Sequence, residues 1–70
     1  MRQELVIEAL RSKGPMIPRQ ILDACGIPYS YVAIYRCNEC LRSLKKYDIV
    51  RKVGEVGKGR NIAFVWELVE

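Results

Sequence analysis

Seventy residues and 8.1 kDa set the size of one small domain, expected to span 1–70, that buries only about 60% of its unfolded surface. Half of the residues are hydrophobic, which excludes a disordered tail, and the longest apolar run, Ile62 to Trp66, is five residues, far too short to span a membrane. Arg2 and Glu4 interrupt the N-terminus, so no signal peptide is expected and the chain reads as cytoplasmic. The net charge is +4, but its distribution says more. Between positions 36 and 60, eight Lys and Arg oppose three acids, a net of +5, while the remainder carries −1. One contiguous basic half points to an anionic partner, most often nucleic acid, against the simpler reading of a solvated cationic face.

Gln3 to Lys13 is the first predicted helix, because Leu5, Val6, Ala9 and Leu10 recur at helical spacing and Gly14-Pro15 stops it. Glu4 and Glu8 near its start and Arg11 and Lys13 near its end suit the helix dipole. Ile7 widens the apolar stripe, through a broad core face or a dimer contact. Ile17 to Cys25 is a short second helix, with Pro18 in its first turn and Gly26 as a left-handed stop. A third helix is expected over 29–47, with Ile34, Cys37, Leu41 and Leu44 as its buried seam.

After Asp48 the period changes from helix to strand. Ile49 to Val53 and Asn61 to Val69 are β-rich runs, joined by a glycine-rich segment over 54–60 that reads as a flexible basic hairpin tip. Ile62, Phe64, Trp66 and Leu68 alternate on one strand face, expected to pack on the helices. Ala63, Val65 and Val69 make the other face partly apolar, which invites a second copy of the chain.

This order of three helices and a hairpin, an α+β class, resembles the winged helix-turn-helix domains of transcription regulators over nearly the whole chain. Ile21-Leu22-Asp23-Ala24-Cys25-Gly26-Ile27-Pro28 is similar to the family's second helix and turn. Cys37 through Val50 is similar to the "VxxxLxxLxxxGLV" passage from recognition helix into first wing strand, with Asp48 in place of the glycine. The stretch from Gly26 to Leu41 is longer than the family's usual spacing, which asks for an earlier helix start or a longer turn. Asn38 and Trp66 are also similar to a left-handed-DNA-binding subgroup, but Ile34 stands where that subgroup has lysine.

The resemblance implies sequence-specific binding of double-stranded DNA by a small transcription regulator, associated with the nucleoid. Helix 29–47 would enter the major groove and the 54–61 wing would reach the adjacent backbone or minor groove. The expected contacts are Ser30, Tyr31, Tyr35, Arg36, Asn38, Glu39, Arg42 and Lys46 on the helix, and Lys58 and Arg60 on the wing. Arg36 and Arg42 suit guanine edges or phosphates, Asn38 adenine, and Lys45 and Lys46 the backbone. Glu39 would accept from a cytosine amine or hold Arg36 or Arg42. A homodimer on a pseudo-palindromic site would double a small footprint. The alternative is a protein-interaction module docking through its apolar strand, and RNA is a third partner compatible with the basic face.

Enzyme activity is not expected. The chain has no histidine, its serines are Ser12, Ser30 and Ser43, and Gly54-x-x-Gly57-x-Gly59 lies between strands rather than ahead of a helix. No cofactor, small-molecule substrate or metal is expected. Cys25, Cys37 and Cys40 fall one ligand short of a tetrahedral zinc site. They read as buried thiols acting as small hydrophobes, as a disulfide, or as a metal or redox site. A disulfide together with the few Asn and Gln would fit a thermophilic, archaeal or viral source.

Overall fold

A computed structural model describes residues 1–69. The chain forms α1 (Gln3–Lys13), α2 (Pro18–Ala24), α3 (Tyr31–Lys46), β1 (Val50–Lys58) and β2 (Asn61–Leu68). Three helices followed by an antiparallel hairpin is the α+β order expected from the sequence. Among the described residues no helix is long and apolar enough to cross a membrane.

Local chemistry sets the helix ends. Gln20 reaches back to accept from the Ile17 N–H at 3.2 Å, and the Ser30 hydroxyl accepts from the Ala33 N–H at 3.0 Å, each satisfying an N–H that the first turn leaves unpaired. α2 closes at Gly26, with φ of 70°: the Ile27 N–H donates to the Leu22 carbonyl and the Gly26 N–H to that of Asp23. α3 closes in the same way at Asp48, with φ of 58°, through Ile49 to Leu44 and Asp48 to Lys45. Both are Schellman motifs, and the second places an aspartate in the left-handed position where glycine is usual. Residues 25–30 form a six-residue turn between α2 and α3, so the long spacing seen in the sequence is taken up by the turn rather than by an earlier helix start.

Val6, Ala9 and Leu10 of α1, Ile21 and Leu22 of α2, and Cys37, Leu41 and Leu44 of α3 meet in one core, closed at its base by Met16, Val50 and Trp66. Ile7 packs half-buried against that core, which accounts for the width of the α1 stripe. Fully burying an aliphatic side chain of this kind contributes about 1.5–3 kcal/mol. Leu5, read as part of the buried stripe, is instead 43% exposed.

The hairpin departs most from expectation. The glycine-rich segment is not a flexible loop: β1 runs on through Gly54 and Gly57 to Lys58, and the connection shrinks to a two-residue turn at Gly59-Arg60. Gly59 has φ of 61°, the positive value that the first central position of a II′ turn requires. Val53 lies in a bulge between the Lys52↔Trp66 and Gly54↔Val65 pairs. The longer hairpin outreaches the helices. Trp66 is buried and Leu68 half-buried at the base, but Ile62 and Phe64 are exposed, contrary to their expected packing on the helices.

The three cysteine thiols are free, so the disulfide alternative for Cys25, Cys37 and Cys40 is not realised. Each sulfur addresses a different backbone carbonyl: Cys25 that of Leu5, Cys37 that of Pro18 and Cys40 that of Met1. Among the described residues no group of three or more Cys, Asp or Glu gathers as a metal site.

Candidate nucleic-acid interface

The seam of Cys37, Leu41 and Leu44 fixes which side of α3 meets solvent. Opposite it, helical geometry aligns Tyr31, Tyr35, Glu39, Arg42 and Lys46 into an exposed ridge. Tyr31 at its head is 88% exposed. Glu39 forms no ion pair with Arg36 or Arg42 within 4 Å. Its carboxylate neighbours Tyr35 instead, and through hydrogen bonding and charge it pushes the Tyr35 pKa up. Arg36 falls on the flank of α3 that faces α1, beside Leu22, Ile27 and Val32, so it stands apart from Arg42. On that flank the Gln3 amide donates to the Ser43 hydroxyl at 2.9 Å, tying α3 to α1. Ser30 serves as the cap of α3.

The other flank of α3 faces the hairpin across an open cleft of about 740 Å³. Asn38, half-buried, and Arg42 line it from α3, Arg19 from α2, Tyr29 from the turn, and Lys52 and Phe64 from the hairpin. Among the described residues, three cations border this cleft and no carboxylate does. Two of the cations rest on aromatic rings: the Lys52 ammonium lies 3.9 Å from the centre of Phe64 and 5.4 Å from that of Trp66, and the Arg19 guanidinium 4.9 Å from that of Tyr29.

The backbone explains the placement of Lys52. Trp66 directs both its N–H and its carbonyl to Met16, each bond 2.9 Å long, so its pairing with Lys52 on the other side is of the non-hydrogen-bonded kind. Side chains stand closer in such pairs, and Phe64, two residues along β2, presents its ring on the same face. Arg51, one residue earlier, points to the opposite face and binds Glu67, with Nε to Oε1 at 2.7 Å. Lys58 and Arg60 lie at the hairpin tip, outside the cleft lining.

The expected site residues therefore separate into an α3 ridge (Tyr31, Tyr35, Glu39, Arg42, Lys46), a cleft wall (Asn38, with Arg42 shared), a remote flank (Arg36) and a hairpin tip (Lys58, Arg60). Arg19, Tyr29 and Lys52 are cleft residues that sequence reasoning did not single out. Each belongs to a different element, and only the tertiary fold brings them together.

No protein-family model matches the chain, and no curated protein matches it. Among solved structures the chain is similar to the crystal structure of the transcriptional regulator PA4135, with 25% identity and a TM-score of 0.67. The match covers 96% of this chain and 44% of that one, so the chain spans less than half the length of the regulator it resembles.

Proposed function

We propose that the chain is a winged helix-turn-helix module that binds double-stranded DNA in transcription regulation. α3 would enter the major groove and the hairpin would serve as the wing, with Lys58 and Arg60 on the adjacent backbone or minor groove. The observation that carries this reading is the exposed ridge of Tyr31, Tyr35, Arg42 and Lys46, set beside a cleft bordered, among the described residues, by Arg19, Arg42 and Lys52 and by no acid. The likeness in fold to a transcriptional regulator supports it. One domain of this size covers about 600–1,000 Å² on DNA, so a homodimer on paired half-sites would give the footprint a regulator needs.

A fluorescence-anisotropy titration against random duplex DNA at two salt concentrations tests the proposal. Binding should collapse as salt rises, with a slope worth about four or more phosphate contacts. Absence of binding at low salt would overturn it. Exposed Val53, Val56, Ile62 and Phe64 on the hairpin favour a second reading, docking onto another protein through apolar contact. Binding of that kind would be nearly indifferent to salt.

A further inference from the structure

Two of the three cleft cations are held by aromatic rings, whereas the ion-paired arginines of the molecule are held by carboxylates. Arg11 and Arg51 are tied to Glu8 and Glu67. Among the described residues, Arg19, Arg42 and Lys52 have no carboxylate within 4 Å, although all three are exposed. A long cationic side chain in that position ordinarily samples many rotamers, and ordering it on a ligand costs free energy. Here Phe64 and Trp66 lie beneath the Lys52 ammonium and Tyr29 beneath the Arg19 guanidinium, so two of the three cations are placed before any ligand arrives. A guanidinium stacked on a ring keeps its edge N–H donors free for an oxyanion. Phe64 and Trp66 also raise the local apolar character without adding an acceptor for Lys52 to satisfy.

The geometry points to a phosphate clamp: the cleft between α3 and the hairpin holds the phosphodiester backbone of one strand of duplex DNA, with Lys52 and Arg19 as ring-positioned contacts and Arg42 between clamp and ridge. This inference rests on the DNA-binding reading above and assigns it two contact residues and three positioning residues, Phe64, Trp66 and Tyr29. The occupant is a strand rather than a compact anion because the cations come from α2, α3 and β1 along an open cleft, not from one enclosed pocket.

The salt dependence of duplex binding tests it residue by residue. Removing one phosphate-binding cation should lower the slope of log affinity against log salt by about 0.9, so Lys52→Gln and Arg19→Gln should each lower it by about that amount, and Lys13→Gln on α1 should not. Phe64→Leu keeps the charge of Lys52 but removes the ring under it. Affinity should then fall about two- to fivefold at an unaltered slope, and Phe64→Trp should restore it. A wild-type slope in both Lys52→Gln and Arg19→Gln, with duplex binding intact, would overturn the clamp and leave the DNA-binding reading standing. Unaltered affinity in Phe64→Leu would overturn the positioning role of the ring. If the unmodified protein fails to bind duplex DNA at any salt, the functional reading itself falls and the clamp with it.

Discussion

Met16 and Trp66 exchange two backbone hydrogen bonds, each 2.9 Å, which makes the segment between α1 and α2 a one-residue third strand on the outer edge of β2. The bridge brings the large Trp66 ring into the core at 3% exposure. Trp66→Ala should cost about 3–5 kcal/mol in urea denaturation, a large part of the total for so small a domain. Trp66→Phe should cost much less, about 1 kcal/mol. It keeps most of the buried area and deletes a buried indole N–H that has no acceptor among the described residues. Equal losses in the two variants would refute the view that ring volume dominates at this site.

Asp48 ends α3 in a left-handed conformation that costs a residue with a Cβ about 1–2 kcal/mol, less for Asp than for most. Asp48→Gly should keep both Schellman bonds and relieve that strain. Part of the gain is offset by the greater freedom of glycine in the unfolded chain, leaving a net stabilisation of about 0.5–1 kcal/mol. A lower melting temperature would contradict it.

Two hairpin glycines should respond in opposite ways to alanine. At Gly57, φ is 111° and an added Cβ would fall 1.9 Å from the Asn61 carbonyl oxygen, which neither backbone can yield without breaking the tip pairing. At Gly54 the nearest atom is Val65 Cγ2 at 3.9 Å, an ordinary contact. Gly57→Ala should therefore disorder the tip, seen as collapsed NMR dispersion for residues 57–62, while Gly54→Ala leaves the spectrum near wild type.

Burial pushes the Cys37 thiol from its ordinary 9.0 up to about 12, so the folded state holds a proton that the unfolded chain has already released. Between those two values the unfolded chain binds fewer protons. This group then makes stability fall as pH rises, by about 1.4 kcal/mol per pH unit, and contributes no slope below pH 9. Cys37→Ala should show a shallower alkaline decline than wild type in denaturation at pH 9–11. Iodoacetamide at pH 8 should label Cys37 in native protein only as fast as the molecule unfolds.

Arg42 stands where the α3 ridge meets the cleft, and Arg2 at the start of α1 on neither surface. Arg42→Ala should weaken duplex binding about tenfold or more, as expected for removal of a charge-assisted hydrogen bond, and Arg2→Ala should leave it near wild type. Equal effects would sink the assignment of α3 to the interface.

The three helices were legible because their signals are local: apolar spacing, Pro18 at the start of α2, Gly26 beyond its end. The hairpin was only half legible. Gly54 and Gly57 read as breakers, yet both sit in register in the ladder, where Gly57 supplies a backbone that no side chain would permit. The alternation of Ile62, Phe64, Trp66 and Leu68 correctly gives a shared face. It carries no information on where the helices stop, and Ile62 and Phe64 lie past that limit. The α3 ridge followed from periodicity alone, whereas the placement of Lys52 over Phe64 depends on the register of β1 against β2, which sets Lys52 opposite Trp66, a tertiary fact.

The bulge at Val53 divides the hairpin into a fastened base and a free outer half. Amide protons near Trp66 should exchange with solvent only through global unfolding, and those near Gly57 through small local openings. On the proposed reading, Lys58 and Arg60 stand on that outer half and meet the sugar-phosphate backbone, whose contacts position the protein without reading sequence, which leaves discrimination to the surface of α3.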